Sequence, residues 1–222
     1  MKLVHTLYEP AGEGPFPTIL AMHGWGSNAL DLHGIAPFIA GGRFLVICPQ
    51  GRHEVEIGAV NGFGWYEMKP GGRPDEEKVD AAIDELRDFI NEACGRYPVD
   101  RRKIVLIGFS QGGMMAYNLA MRWPDKFAAL VGISTAFPDY LFERAKNREA
   151  IAKLPVMVQH GRADEMLEPA RARKSVELLR ELGATVDFRQ YDCGHEVSAD
   201  GVRDLSAFLQ ARVLDGGAEA NR

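Results

Sequence analysis

The stretch "IVLIGFSQGG" places a serine between an apolar run typical of a strand and a helical pattern. Four branched apolar residues, Ile104 to Ile107, precede the pattern of Gly108, Ser110 and Gly112, and a helical pattern begins at Gln111. The spacing G-x-S-x-G is typical of a strand-to-helix turn that lifts a nucleophilic serine above the end of a strand. The positive end of the following helix would favour an oxyanion beside the serine. An ordinary turn capped by serine is the alternative, so partner residues elsewhere must decide.

A serine becomes an effective nucleophile only when a base removes its proton. His195 lies in "YDCGHEVSAD", after an apolar run and directly before the last helical pattern. Chain order and loop position favour it as the base over the other five histidines. Of these, His160 precedes a glycine and is expected to serve strand packing, and His33 is expected on the face of a short helix. No pattern supports His5 or His53 in the role.

The base in turn needs a carboxylate to orient it. Asp164, in "VMVQHGRADEM", follows the apolar run that starts at Pro155. The next apolar run along the chain starts at Val186 and leads to His195. Glu165 and Asp192 are the alternatives, but Asp192 is too close in sequence to His195 to come from a different strand end. The order of serine, acid and histidine therefore predicts Ser110, Asp164 and His195 as the reacting set.

An acyl-transfer intermediate also needs N–H donors where negative charge develops. The segment "LAMHGWGSN" ends an early apolar run in a glycine-rich turn, and this turn could direct the backbone N–H of Trp25 at the same point as that of Gln111. We therefore predict these two amides as the oxyanion hole. A plain glycine-rich turn with Trp25 packed in the core is the alternative.

The elements that would position these groups alternate along the chain. Short apolar runs predict strands, and stripes of apolar residues at spacings of three and four predict helices. Alternation of this kind favours a largely parallel sheet with helices on both faces and a site at the carboxyl ends of the strands. The predicted strands start at Thr18, Phe44, Lys103, Ala129, Pro155 and Val186, and the predicted helices run from Asp75 to Arg96, Gln111 to Trp123, Pro169 to Leu182 and Ala199 to Leu214.

Two longer connections interrupt this alternation. Residues Gly51 to Pro74 are rich in glycine and aromatics, and Ala136 to Leu154 reads as a short helical excursion. Long connections in a compact domain are often binding loops or lids. Their apolar residues either line a substrate pocket or anchor the loops to the core. The predicted pocket residues are Phe63, Trp65, Tyr66, Phe137, Tyr140, Leu141 and Leu167.

Composition limits the class of protein. The 222 residues are 46% hydrophobic and 26% charged, without repeats or linkers, which favours a single domain over residues 1–222 with a frayed tail from about residue 215. A net charge of -5 with scattered Lys and Arg argues against nucleic-acid binding. Neither a signal peptide nor a membrane-spanning run is expected. Cys48, Cys94 and Cys193 lie far apart, which fits reduced thiols in a cytoplasm and argues against a metal site.

The motifs "HGWG", "GFSQGG", "HGRAD" and "CGHEV", in this order and spacing, resemble those of the α/β-hydrolase fold, and most closely its phospholipase/carboxylesterase group, which includes acyl-protein thioesterases. The resemblance implies a small cap or none, and no metal or organic cofactor. It also implies that Ser110 carries the acyl group, that His195 acts as base and then acid, and that Asp164 orients it. Trp25 and Gln111 would supply the oxyanion amides.

Three features depart from the family pattern and bear on substrate length. Trp25 stands where a small aliphatic residue is common, Glu67 stands where aspartate is common, and the run "EMLEP" after Asp164 is one residue longer than usual. The expected activity is that of a serine carboxylesterase acting on short- to medium-chain esters. Acyl-thioesterase or lysophospholipase activity with the same residues is the first alternative, and a non-catalytic binding protein is the second. A monomer or a homodimer is compatible with the sequence.

Overall fold

One twisted sheet forms the centre of the computed structural model, which describes residues 1–58, 60–68 and 74–216. The sheet has the order β1-β3-β2-β6-β7-β8-β9, and all neighbours are parallel except β1 and β3. A separate antiparallel hairpin consists of β4 and β5. The strands are β1 His5–Tyr8, β2 Phe16–Met22, β3 Leu45–Pro49, β4 His53–Ile57, β5 Val60–Gly64, β6 Val99–Phe109, β7 Ala129–Ile133, β8 Val156–Gly161 and β9 Val186–Tyr191.

Helices connect the parallel strands. The longest begins at Asp75, whose carboxylate accepts hydrogen bonds from the backbone N–H groups of Glu77 and Lys78 at 3.1 and 3.4 Å. This cap satisfies donors that the first helical turn leaves unpaired. The helices are α1 Glu76–Arg96, α2 Gln111–Arg122, α3 Asp139–Arg144, α4 Arg148–Lys153, α5 Pro169–Glu181 and α6 Ala199–Leu209, with 3₁₀ turns at His33–Phe38, Ala40–Gly42 and Pro124–Lys126 and a π-helical turn at Gln210–Asp215.

The strands bury both faces of the sheet. Along β2, Leu20 and Met22 join one apolar cluster, whereas Ile19 and Ala21 join another, because successive side chains of a strand point to opposite faces. Helices α1, α2 and α5 cover the first face, and α6 with the 3₁₀ turn at His33–Phe38 covers the second. This double coverage explains why the central strands are apolar throughout.

Most of the predicted elements are present. The six strands and four helices appear near their expected positions, and Ala136 to Leu154 contains α3 and α4. The sheet and its flanking helices confirm the predicted fold class. Strand β1 and the hairpin β4–β5 were missed, because β1 is short and only half-buried, and β4 buries Val55 alone between exposed residues. Residues 217–222 of the predicted tail lie outside the described residues.

The short helix α3 is tied to α1 and α2 by a charged cluster. Arg144 donates to Asp80 Oδ1 at 2.8 Å and to Glu76 Oε2 at 2.7 Å, and Arg122 also donates to Asp80. Partial burial raises the pKa of Asp80, but the two guanidinium groups outweigh it and hold that pKa below its usual value. The excursion between β7 and β8 is therefore fixed to the body of the protein at α3.

The three cysteines form no disulfide. Burial raises the pKa of Cys48 on β3 to about 12, so its thiol stays protonated at neutral pH. Across residues 1–58, 60–68 and 74–216, no helix is both long and apolar enough to span a membrane.

We predict that Tyr117→Phe stabilises the protein. Tyr117 of α2 is completely buried, and its hydroxyl has no hydrogen-bond partner among the described residues. Removing a desolvated, unpaired hydroxyl should raise the free energy of unfolding by about 1 kcal/mol and the Tm by about 2 °C. Thermal unfolding checks this, with Tyr191→Phe as the control, because Tyr191 donates to Asp204 at 2.9 Å and should gain nothing. An unchanged or lower Tm for Tyr117→Phe would contradict the prediction.

Candidate active site

Ser110 occupies a strained turn between β6 and α2. Its backbone has φ 52° and ψ -118°, a conformation that costs a non-glycine residue about 1–3 kcal/mol. Two contacts from the end of β7 oppose that strain. The Ser110 N–H donates to the Ile133 carbonyl at 2.9 Å, and the Thr135 hydroxyl donates to the Ser110 carbonyl at 2.7 Å. The serine is thus held by the neighbouring strand as well as by its own.

The glycines of the motif allow backbone to pack against backbone. A Cβ at Gly108 would collide with the carbonyl of Gly112, and a Cβ at Gly112 would collide with the carbonyl of Met22 at the end of β2. Both obstacles are main-chain atoms, which a side-chain rotation cannot relieve. The turn from Gly108 to Gly112, called the elbow below, therefore requires glycine at these two positions, as the sequence pattern indicated.

His195 bridges Ser110 and Asp164. Its Nε2 lies 3.0 Å from Ser110 Oγ, and its Nδ1 lies 2.8 Å from Asp164 Oδ2. With the proton on Nδ1 donated to the carboxylate, Nε2 is left to accept the proton of the serine hydroxyl. The three residues follow β6, β8 and β9, at the carboxyl edge of the sheet. The structure thus brings together the three side chains that the sequence singled out.

The alternative acids lie elsewhere. Asp192 pairs with Arg162 at 2.6 Å on the surface, and Glu165 is exposed. The Asp164 carboxylate, by contrast, is fully buried, and its Oδ1 accepts the N–H groups of Met166 and Leu167 at 3.0 and 2.8 Å. The run "EMLEP" thus begins as a turn that closes on the carboxylate.

The turn that carries Trp25 packs against the elbow. A Cβ at Gly24 would lie 2.9 Å from the Phe109 ring and 3.4 Å from Ser110 Cβ, so this turn lies directly against the end of β6 and the serine. As the first residue of α2, Gln111 has a backbone N–H that no helical carbonyl can pair. The Trp25 side chain is 41% exposed, which contradicts the alternative that it packs in the core.

The hairpin β4–β5 stabilises this turn. The Gly26 N–H donates to the Phe63 carbonyl at 2.8 Å, and the Phe63 N–H donates to the Ser27 carbonyl at 2.7 Å. Phe63 is thereby fixed through its backbone, while its side chain remains half-buried. The glycine-rich connection thus supports the candidate oxyanion loop.

The side chain of Gln111 has a role that the sequence did not reveal. It is 2% exposed; its Oε1 accepts the Trp65 N–H and its Nε2 donates to the Tyr66 carbonyl, both at 2.9 Å. The Trp65 indole N–H then donates to the His23 carbonyl at 2.9 Å. These bonds connect the two loops that carry the candidate oxyanion amides. The available signal was an amide side chain at the first position of a largely apolar helix.

His23 also has a fixed structural role. It is buried, and burial lowers the pKa of its imidazole. The Gly51 N–H donates to Nε2 at 3.0 Å, so the ring proton is on Nδ1, which lies 2.7 Å from the Gly24 carbonyl. A neutral His23 therefore links the end of β2 to the segment between β3 and β4.

The predicted pocket residues divide into two groups. Four are buried in the main apolar cluster, which favours the anchoring alternative for them, and three are only partly buried and remain candidates for substrate contact. The buried four are Trp65, Tyr66, Phe137 and Leu141, and the other three are Phe63, Tyr140 and Leu167. Among the described residues, no cluster of His, Cys, Asp and Glu could hold a metal ion.

Comparison with known proteins identifies the family of the chain. A family model for phospholipase/carboxylesterase matches residues 9–213. The chain belongs to this family. It is therefore a serine hydrolase of the α/β-hydrolase fold.

Relatives of this family member include both esterases and thioesterases. Acyl-protein thioesterase 1 of Gibberella zeae is 26% identical, covering 92% of this chain and 94% of the relative. A carboxylesterase structure from Mesorhizobium loti superposes with TM-score 0.80 at 22% identity, covering 93% and 94% of the two chains. Zea mays acyl-protein thioesterase 2 superposes with TM-score 0.79 at 19% identity, covering 95% and 99%. The two structural matches establish the fold alone.

We predict that Gly112→Ala removes most activity and destabilises this family member by more than about 3 kcal/mol, because the new Cβ would push the elbow away from β2. Gly95→Ala is the matched control. Gly95 lies in α1 with no atom within 4 Å of its Cβ position, so alanine there should stabilise the helix by about 0.5 kcal/mol. Ester hydrolysis and denaturant unfolding check both variants. Wild-type rate and stability in Gly112→Ala would refute the packing argument.

Proposed function

We propose that the protein is a carboxylesterase that hydrolyses short- to medium-chain carboxylic esters through an acyl-enzyme on Ser110. The observation that carries the proposal is the unbroken chain of contacts from Ser110 Oγ to His195 at 3.0 Å and from His195 to Asp164 at 2.8 Å. A serine, an imidazole and a buried carboxylate in this order are the parts that acyl transfer needs. The whole site belongs to one domain.

In the first half of the reaction His195 removes the proton of Ser110 as Oγ attacks the ester carbonyl carbon. The carbonyl oxygen becomes an oxyanion, and the backbone N–H groups of Trp25 and Gln111 donate to it. The C–O bond to the alcohol then breaks, and His195 returns its proton to the departing alcohol. Asp164 stabilises the imidazolium throughout this half-reaction.

In the second half, water replaces the alcohol. His195 takes a proton from the water as its oxygen attacks the acyl carbon, and a second oxyanion forms at the same amides. Collapse releases the carboxylic acid, and the proton passes from His195 to Ser110 Oγ. The cycle restores the starting state and consumes one water for each ester.

Acyl-thioester hydrolysis is the second candidate. The same steps would release a thiol in place of an alcohol. The observation that favours it is the likeness to proteins named acyl-protein thioesterases over more than nine-tenths of the chain. The Trp25 ring lies against Gly64 and is exposed, and its bulk, where the family commonly has a small aliphatic residue, favours small acyl groups.

The first test compares wild type with Ser110→Ala on an oxygen ester and a thioester that share one acyl group. We expect the variant to lose at least about 10³-fold in kcat/KM, because the hydroxyl that His195 activates is removed. A fluorophosphonate probe should label wild type and leave the variant unlabelled. Retention of the wild-type rate by Ser110→Ala would refute the mechanism. A faster wild-type rate on the thioester would replace the first candidate by the second.

The second test concerns acyl length. We expect wild-type rates on p-nitrophenyl esters from acetyl to palmitoyl to peak at the short end, and Trp25→Leu to move the peak to longer chains by removing the bulk of the indole ring. Phe38→Leu is the control, since Phe38 is an exposed aromatic on the 3₁₀ turn at His33–Phe38. An identical chain-length profile for wild type and Trp25→Leu would rule out the tryptophan as the determinant.

A further inference from the structure

A second histidine faces the carboxylate of Asp164. His160, in β8, has a completely buried side chain. Its Nε2 lies 2.8 Å from the Leu167 carbonyl oxygen and 3.3 Å from Asp164 Oδ2. Both neighbours are acceptors, so Nε2 must carry the proton and donate. His160 and His195 thus approach the same carboxylate oxygen from two sides.

The surroundings hold His160 in one neutral form. Its Nδ1 is buried without a partner among the described residues, so a proton there would be a desolvated, unpaired donor. Burial lowers the pKa of His160, and the positive charge of Arg173 on α5 acts in the same direction. A neutral imidazole with its proton on Nε2 is therefore the stable state, and its N–H is a permanent donor.

His160 acts on Asp164 along two routes. Its Nε2 lies 3.3 Å from Oδ2, close enough for the N–H dipole to act on that oxygen, and its hydrogen bond fixes the Leu167 carbonyl in the turn whose Met166 and Leu167 amides donate to Oδ1. The turn then holds Oδ1 while His195 contacts Oδ2, which limits rotation of the carboxyl plane away from His195. Without His160 the buried carboxylate would keep its amide donors on a less constrained turn.

We infer that His160 is a positioning residue for the proposed reaction: it holds the Asp164 carboxylate in the orientation that His195 requires. The inference rests on the proposed function, because it assigns a part within the same site. It adds a fourth residue to the hydrogen-bonded series of Ser110, His195 and Asp164. The sequence alone indicated strand packing for this residue.

The charges around this group determine the expected pH dependence. His195 and Asp164 face His160 across the strand ends, Arg173 reaches it from α5, and Cys193 interacts with Asp164 and Glu196 from the loop after β9. The N–H of His160 neutralises part of the charge on Oδ2. Its loss leaves more negative charge facing His195, which stabilises the imidazolium. The acidic limb of the kcat/KM profile should then move to higher pH.

The test uses His160→Met, which removes the donor at similar length, and His160→Gln, whose amide can still donate from nearly the same point. Concentrations are normalised by fluorophosphonate titration of active sites. For His160→Met we expect kcat to fall about tenfold with KM little changed. The acidic limb of the kcat/KM profile should move to higher pH by about half a pH unit. His160→Gln should recover most of the rate and the wild-type limb. His33→Met is the control for removing a partly buried histidine elsewhere.

A purely structural role would lower the number of titratable sites and the Tm but leave kcat per site and the pH profile unchanged, and that outcome would overturn the inference. Failure of the proposed function is distinguishable, since wild type would then be inactive or Ser110→Ala would keep its rate. If His160→Met does not fold, ¹⁵N NMR of the unaltered protein decides. We expect His160 as the neutral Nε2–H form from about pH 5 to 8, and a protonated or Nδ1–H ring would refute the inference.

Discussion

The close packing of backbone at the elbow is the constraint on which the rest of the site depends. Ser110 has a left-handed backbone conformation only because Gly112 lies directly on the end of β2 and the end of β7 binds the serine backbone from the other side. Two neighbours of β6 in the sheet thus determine where the hydroxyl points. The register of three parallel strands, β2, β6 and β7, therefore determines the position of Ser110 Oγ. Apolar burial on both faces of the sheet stabilises that register.

Burial separates the histidines of this region into fixed and reactive rings. His23 and His160 are almost inaccessible, have lowered pKa values, and use their single proton in a bond to a carbonyl. His195 is 12% exposed, and its Nε2 faces a hydroxyl rather than a carbonyl. A ring that must gain and lose a proton needs an acceptor nitrogen directed at the reacting atom. Only His195 of these three has that arrangement.

The sequence predicted those features whose cause is local. Apolar runs and stripes located the strands and helices of the sheet, and chain order with strand ends located Ser110, Asp164 and His195. The side chain of Gln111 could not be assigned in this way, because its partners Trp65 and Tyr66 lie more than forty residues away in a connection without a periodic pattern. The hairpin was missed for a related reason. Its strands are stabilised by one another and by the turn at Gly26, with little apolar burial of their own.

The use of aromatic side chains as anchors has a consequence for substrate contact. Trp65 is hydrogen-bonded to His23 and Gln111 and packed in the core. Its ring therefore holds the two candidate oxyanion loops together. The remaining candidates for contact with an acyl group are the partly buried Phe63, Tyr140 and Leu167 and the 41% exposed Trp25. An acyl group lying on exposed side chains gains less from burial with each added methylene than one in a closed channel. This arrangement supports a preference for shorter acyl groups.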